Sequence, residues 1–317
     1  MREVAKTTLV THRDLTPRGR LHPLIMAMVL AAGGTAKTTT TTILGTILAL
    51  RGYRVRIFDL DPQCNCSEIL GRREEHRDPD QKTVWDVILG EATLDEATVQ
   101  ARYRTGYDED GEPMFGEVPN LFVVHGDPQL TNCDTHFANN PHKFYWFVEL
   151  LRQYEKGILT SQDREVWLLD LPANYGKLTV SALIGMDEED EVLPPLLVTG
   201  KESGALEKLM KELLNMHKAF SGAMAPATPT VKNILLCSTP TSKHDAQEYH
   251  DTVAEVERDY PGMVLPYVRH SGVTAKQYRL QVTPPISAPK SAPTVDYESV
   301  ADALGFPDLE SAEEPAA

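Results

Sequence analysis

Residues 33–39 read Gly-Gly-Thr-Ala-Lys-Thr-Thr, between an apolar run, Leu24 to Ala32, and a helix-like segment that ends near Arg51-Gly52. A strand, a glycine-rich turn, Lys-Thr and a helix, in that order, can hold the phosphates of a nucleotide. Free backbone N–H groups at the helix start face the anion, and the glycines let the main chain approach it. Lys37 supplies a point charge, and the Thr38 hydroxyl can ligate Mg²⁺. The pattern points to a nucleoside triphosphate cradled by Gly33, Gly34, Thr35, Ala36, Lys37, Thr38 and Thr39.

A Gly-Gly turn ahead of a lysine occurs in many helices, so the flanking segments decide. Arg54 to Leu60 reads as a buried strand with Asp61-Pro62-Gln63 just past its end. A third apolar run, Glu165 to Leu171, carries Asp170 near its end, with Pro172-Ala173-Asn174 beyond. Three apolar strands that deliver Lys/Thr, Asp and Asp at their C-terminal ends match the rule that open parallel sheets bind ligands at the carboxyl edge.

These strings together resemble the ParA family of partition ATPases, within the wider deviant-Walker-A group. The strings are the loop at 33–39, Phe58-Asp59-Leu60-Asp61-Pro62-Gln63-Cys64-Asn65, and Leu168-Leu169-Asp170-Leu171-Pro172. Asn120 to Val124 and Leu265 to Arg269 add weaker matches, and the likeness runs from about residue 26 to about residue 305. It implies ATP and Mg²⁺ as ligands, with Lys37 on the β- and γ-phosphates. Thr38, Asp61 and Asp170 would surround the ion, Asp170 through water, and Asp61 would position the attacking water. It also implies a homodimer in the ATP state, non-specific DNA and a centromere-binding protein as partners, and slow ATP hydrolysis. The alternative is a nucleotide-gated scaffold or positioning protein on the same fold, with little or no hydrolysis.

Two positions depart from the family pattern. The family's loop begins Lys-Gly-Gly, and that lysine reaches across a nucleotide sandwich to the partner's phosphates; here the position is Ala32. A cation supplied in trans is worth about 10³–10⁵ in turnover in the arginine-finger case, so its loss should hurt hydrolysis and dimer coupling more than nucleotide binding. Lys177, Lys201 and the arginines of the N-terminal arm are the candidate replacements. Ala36 stands where the family has glycine, which is costly if the backbone there needs a positive φ.

Alternating apolar and helical segments imply an α/β fold: a mostly parallel twisted sheet with helices on both faces, P-loop NTPase-like, in a single domain over 25–305. Residues 1–24 read as a flexible basic arm and 306–317 as an acidic, disordered tail. Thr83 to Leu89 and Glu91 to Ala101 read as short helices, Tyr107 to Glu117 as a polar loop, and Pro141 to Tyr154 as a helix with a core aromatic cluster. Val192 to Thr199 and Val231 to Cys237 read as strands, and Ser203 to Phe220 and Ala246 to Tyr260 as helices. Asp187 to Glu191 reads as a solvated loop, since five adjacent acids repel one another. Of the five threonines at 38–42, Thr38 and Thr39 are the expected ligand contacts and Thr40 to Thr42 the packing residues.

No run approaches the roughly 18 apolar residues of a membrane span, and Met1 to His22 lacks a secretory core, so the expected location is the cytoplasm, with no membrane partner. Asp308 to Ala317 is acidic and small, unlike the basic amphipathic helix that anchors the membrane-associated division regulators, so that reading is not expected. Four cysteines in 317 residues are no disulfide framework, and Cys64 and Cys66 read as small loop residues. The histidines show no ligand pair at helix spacing.

The net charge of −15 should repel nucleic acid as a whole. Yet Tyr260 to Val295 contains no acid, although 46 acids in 317 residues would put about five there. The same stretch carries Arg269, Lys276, Arg279 and Lys290. Arg269, Lys276 and Arg279 are therefore the candidate DNA contacts, with the arm as the rival surface.

Overall fold

The computed structural model describes residues 22–73, 78–157, 159, 164–198, 203–222, 225–239 and 247–309. The expectations for residues 1–21, for Lys201 and for the chain beyond 309 lie outside the described residues.

The strand β1 (Leu24–Met28) leads through the glycine-rich loop into helix α1 (Lys37–Leu50), and β2 (Arg54–Asp59) follows. Then come α2 (Asn65–Ile69), α3 (Val84–Leu89), β3 (Thr98–Tyr107) and β4 (Pro113–Val124). The middle of the chain adds α4 (Cys133–Asn139), α5 (Trp146–Glu155), β5 (Glu165–Asp170), α6 (Lys177–Leu183), β6 (Glu191–Leu193) and β7 (Pro195–Leu197). The last part holds α7 (Ser203–Phe220), β8 (Leu235–Thr239), α8 (Gln247–Asp259), β9 (Val268–Arg269), α9 (Gln277–Leu280), α10 (Pro284–Ser287) and α11 (Ala292–Ala303).

The main sheet runs β3-β4-β2-β5-β1-β6, parallel except for the edge strand β3; a second, parallel sheet runs β7-β8-β9. Every residue of β1 and β5 is buried, as a sheet covered on both faces requires. Alternation then sorts the side chains. Ile25, Phe58, Trp167 and Leu169 join one core under α3 to α8, whereas Met26, Met28, Ile57 and Leu168 join the other, under α1 and α11. Leu196 and Leu236 of the second sheet lie in the first of these cores, so the two sheets form one domain.

Five consecutive threonines make α1 an unlikely helix by propensity alone. Here the hydroxyls of Thr41, Thr42 and Thr46 donate to the carbonyls of Lys37, Thr38 and Thr42 one turn back, at 3.0, 2.8 and 2.7 Å, so they are buried with their donors satisfied.

Several sequence expectations need correction. Glu91 to Ala101 is not a helix: turns lead to Thr98, where β3 starts. The polar loop at 107–117 shrinks to a tip at 108–112 of a long hairpin, closed by Asp108 N–H donating to Glu112 O at 2.9 Å. The acids at the tip hid two strands whose outer face is solvated. Val192 to Thr199 is two strands in two sheets, because Pro194 and Pro195 lack the N–H groups a ladder needs. The strand expected at 231–237 lies at Leu235–Thr239. Asp187 to Glu191 is not a solvated loop either, since Asp190 and Glu191 are fully buried. At the C-terminus packing continues past 305: Phe306 is buried edge-on against Tyr53, with ring centroids 5.4 Å apart.

Arg51, buried at the end of α1, holds that terminal segment. It donates to Glu298 Oε2, to Asp302 Oδ1 at 2.8 Å, and to the carbonyls of Glu298 and Phe306. Hydrogen bonds from a charged donor contribute about 1.5–3 kcal/mol each at best. Arg51→Ala should therefore cost about 3 kcal/mol overall, read as a lower urea midpoint with an unchanged m-value. An unchanged midpoint would mean that Phe306 packing alone holds the segment.

Candidate functional site

The parallel register brings the site together. Asp59, the last residue of β2, pairs with Asp170, the last of β5, and Asp170 also pairs with Met28, the last of β1. In-register neighbours share a face, and here it is the α1 face. At the same edge the chain leaves β1, turns through Gly33 and Gly34 (φ 70°), and enters α1. A Cβ on either glycine would meet nothing within 4 Å, so the loop borders open space.

That space is a cavity of about 450 Å³. Gly33, Gly34, Thr35, Ala36, Lys37, Thr38 and Thr39 line it together with Asp61 and Asn65. Residues of the second sheet and the C-terminal part, Leu197, Cys237, Ser238, Val268, Arg269, Thr274 and Tyr297, complete the lining. Backbone N–H groups, hydroxyls and one ammonium beside a few apolar side chains suit a ligand that carries an anionic group.

Lys37 is buried, and its ammonium donates to Leu30 O at 3.2 Å, Ala32 O at 3.3 Å and Thr35 Oγ1 at 3.5 Å. Burial lowers its pKa, while Asp170 and Asp61 oppose that shift. The Thr38 hydroxyl donates to Asp170 Oδ2 at 2.8 Å. Thr41, assigned to packing by the sequence, shares its one hydroxyl hydrogen between Lys37 O at 3.0 Å and Asp170 Oδ1 at 3.3 Å. It lies three residues after Thr38, so helical periodicity alone would have found it. Asp61 is half-buried, and its Oδ1 accepts the Gln63 N–H at 2.9 Å.

Asp59 is the residue whose weight the sequence understated. Its Oδ2 accepts from both the N–H and the hydroxyl of Ser67 at 2.7 Å, while Oδ1 is buried without a hydrogen-bond partner. Gly126 must be glycine for this approach, because a Cβ there would stand 2.9 Å from Asp59 Cγ. Burial raises the pKa of Asp59 first, and neighbouring Asp170 raises it further. Burial also raises Asp170, against its hydrogen bond from Thr38. Two adjacent buried carboxylates with an orphaned oxygen, beside a hydroxyl, form a donor set that fits a hard divalent cation such as Mg²⁺.

Ala36 does sit at positive φ (69°), directly before α1. A left-handed alanine costs about 1–2 kcal/mol, strain that the family's glycine would not carry. Ala32 offers its carbonyl to Lys37 and no charge. Among the candidate replacement cations, Lys177 opens α6, where its side chain is exposed and donates to Asp134 O at 3.2 Å. Arg269 is clamped by Asp296, with Nη2 and Nε at 2.7 and 3.0 Å from its oxygens, so its charge is compensated at the cavity rim. Lys276 and Arg279 are exposed on and beside α9. Gln277 between them is buried and donates to Thr39 Oγ1 at 3.3 Å, a link from that segment to the loop that no motif announced.

The family described as the CobQ/CobB/MinD/ParA nucleotide binding domain matches residues 26–281. The chain belongs to that family. It is 31% identical over 202 residues to the chromosome partitioning protein ParA of Caulobacter vibrioides, a match covering 64% of this chain and 65% of that protein. The chain thus spans slightly less than two thirds of the length of this curated relative. Among solved structures of this fold, apo McdA of Cyanothece superposes with a TM-score of 0.67 at 18% identity, covering 90% of this chain and 100% of that one. Cobyrinic acid a,c-diamide synthase from Mycobacterium smegmatis, solved with an ATP analogue and magnesium, gives 0.64 at 20% identity, covering 89% and 94%. Among the described residues, no helix is long and apolar enough to cross a membrane.

The carboxylate pair gives the nucleotide-free protein a pH signature. Both folded-state values are raised, so the folded protein holds protons that the unfolded chain has already lost. The contribution is fully present below the ordinary value of 3.8 and declines as pH rises towards about 8. Asp59→Asn should flatten that decline in melting temperature between pH 4 and pH 8 relative to the parent protein. Parallel pH profiles for the two proteins would show that the pair is ionised in both states.

Proposed function

We propose that this protein is a ParA-like ATPase acting in plasmid or chromosome partition. It would dimerise when ATP is bound, bind DNA without sequence preference, and respond to a centromere-binding partner protein in the cytoplasm, on the nucleoid. The observation that carries this reading is the single cavity at which Lys37, Thr38, Thr39 and Asp61 converge, with Asp170 hydrogen-bonded to Thr38.

In this reading the backbone of residues 33–39 and the Lys37 ammonium bind the β- and γ-phosphates. Thr38, Asp61 and, through water, Asp170 would hold Mg²⁺, which would supply charge neutralisation on the phosphate oxygens. Asp61 orients the attacking water, and its exposure at the cavity leaves room for that water. Asp59 stays behind Asp170 and would give up the proton that burial makes it hold once a cation binds beside the pair. Positioning and charge stabilisation make up most of phosphoryl-transfer catalysis. Ala32 removes the cation that would reach the partner's nucleotide, so turnover should be slow. DNA contact falls to Lys276 and Arg279, which α9 presents to solvent, with Arg269 contributing less because of Asp296. The hydrogen bond between Gln277 and Thr39 gives that face a physical connection to the phosphate end of the cavity. Ala32 and Ala36 favour a second reading, a nucleotide-gated scaffold or positioning protein that hardly hydrolyses ATP.

Steady-state ATP hydrolysis, with and without random duplex DNA and the product of the adjacent gene, separates the two. The expected result is slow basal turnover that both additions stimulate. Asp61→Ala should keep nucleotide binding and lose turnover. Lys276→Glu with Arg279→Glu should abolish ATP-dependent DNA binding at unchanged ATP affinity, and each lost contact should lower the salt slope by about 0.9. No turnover under any condition would favour the scaffold. DNA binding that survives the double reversal and disappears on deletion of residues 1–22 would move the contact to the arm.

A further inference from the structure

The acid-free stretch that carries Lys276 and Arg279 has a neighbour remote in sequence: the long hairpin lays its edge strand β3 against it. Arg104 N–H donates to Gln281 O at 2.9 Å, and Arg104 Nη2 donates to Arg279 O at 3.0 Å. Two residues earlier, Arg102 N–H donates to Leu70 O at 2.9 Å and its Nη2 to Gly71 O at 3.1 Å. Gly71 (φ 68°) permits that approach, since a Cβ there would stand 2.8 Å from Arg102 O. Arg72 follows, and its Nε donates to Gln100 O at 2.9 Å. The outer edge of β3 is thus joined to the end of α2 on one side and to α9 on the other.

This surface carries the opposite charge to the chain as a whole, whose net charge is −15. Residues 65–73, 100–104, 113–117 and 274–281 hold Arg72, Arg73, Arg102, Arg104, Lys276 and Arg279 against Glu68 and Glu117. Glu117 stands across the hairpin from Arg102, and Glu68 lies 3.8 Å from Arg73. The carbonyls that Arg102 and Arg104 bond are neutral, so they aim the guanidinium forks without cancelling their charge. Burial lowers the pKa of Arg72, and nearby Arg102 lowers it further, against Glu117. The acids of the hairpin tip begin at Asp108, four residues beyond Arg104. That is about 13 Å along a strand, more than the screening length of about 8 Å at physiological salt.

The arrangement selects among anionic partners. Arg102 and Arg104 leave the same face of β3 about 6–7 Å apart, a separation comparable with that of successive phosphates along a nucleic-acid strand. The nearby rings already carry arginines: Arg102 lies 4.9 Å from the centre of Phe115, Arg104 5.0 Å from Tyr107 and Arg73 6.0 Å from Tyr278. A protein partner needs an anchor pocket at the centre of its interface, and unpaired bases need open ring faces to stack on. Forked charges at strand spacing fit a phosphate backbone instead.

We propose that Arg102 and Arg104 of the hairpin contact the phosphates of duplex DNA together with Lys276 and Arg279, so that the DNA face is a composite of β3 and α9. The inference rests on the DNA-binding reading above and adds the hairpin to it. The same α9 reaches the phosphate loop through the hydrogen bond from Gln277 to Thr39, so the composite face and the nucleotide cavity share one short element.

Fluorescence anisotropy of a labelled random duplex, with the full chain and Mg-ATP over about 50–200 mM salt, tests it. Four contacts predict a slope of log affinity against log salt of about −3.6. Arg102→Gln with Arg104→Gln should reduce that slope by about 1.8 and weaken binding about tenfold per arginine near 0.1 M salt, at unchanged ATP affinity. Arg104→Gln alone should reduce it by about 0.9 and stays readable if the double variant folds poorly. Arg102→Lys with Arg104→Lys keeps the charges and should keep most of the slope. Lys211→Gln with Lys218→Gln, exposed on α7 over the other core, changes the net charge equally and should leave the slope at the parent value. A glutamine variant with the parent slope overturns the inference and leaves DNA binding by α9 standing. A lysine variant that loses as much as the glutamine variant also overturns it, making the two arginines braces of the hairpin. Unchanged DNA affinity with lost stimulation by the adjacent gene's product would overturn it in favour of an acidic protein partner. A parent protein that binds no duplex at any of these salt concentrations ends the DNA reading and the inference together.

Discussion

Two carboxylates that face each other across adjacent buried strands repel, and a fold tolerates such a pair only where something compensates it. Asp59 and Asp170 are in register at the carboxyl ends of β2 and β5, both essentially without solvent contact. Ser67 donates twice to the first, Thr38 and Thr41 donate to the second, and the Lys37 ammonium stands nearby. The remaining need is for positive charge, which the fold leaves to a ligand. The parallel register and the placement of α1 over these strand ends bring that pair beside the glycine-rich loop.

The C-terminal third closes the site from a distance in sequence. The Tyr297 hydroxyl meets Thr40 Oγ1 at 2.8 Å, Gln277 reaches Thr39, and Asp296 fixes Arg269 at the cavity rim. Arg51 ties the end of α1 to α11 and Phe306. The loop helix is therefore anchored along its length by residues some 240 positions later, and Tyr297 of the last helix lines the cavity. Thr39, which lines the cavity, thus touches this C-terminal layer, which also carries Lys276 and Arg279.

The central strands and the loop were legible because burial on both faces writes continuous apolar runs, and the chemistry stands immediately after them. Lys37, Thr38 and Asp170 are found together for that reason. The hairpin of β3 and β4 was hidden because its exposed face and acidic tip carry a loop's composition. Ser67 and Gln277 were missed because their roles are partnerships made only in three dimensions, whereas Thr41 was within reach of helical spacing from Thr38. Asp190 was misread for a related reason: five adjacent acids look solvated until one of them turns inward to cap the backbone of β1. Arg269 lies in an acid-free stretch that ends one residue before its own partner, Asp296, so composition made it look unpaired.

The central claim is that this edge of the sheet binds a metal-bound triphosphate through Asp170 and the loop. Calorimetry of ATP binding, with and without Mg²⁺, on the parent chain and on Asp170→Asn tests it most directly. The account predicts one site per chain in the parent, markedly tighter with Mg²⁺, and a variant that still binds ATP but has lost most of the Mg²⁺ dependence. No heat in the parent protein, or an affinity that ignores Mg²⁺ in both proteins, would contradict it.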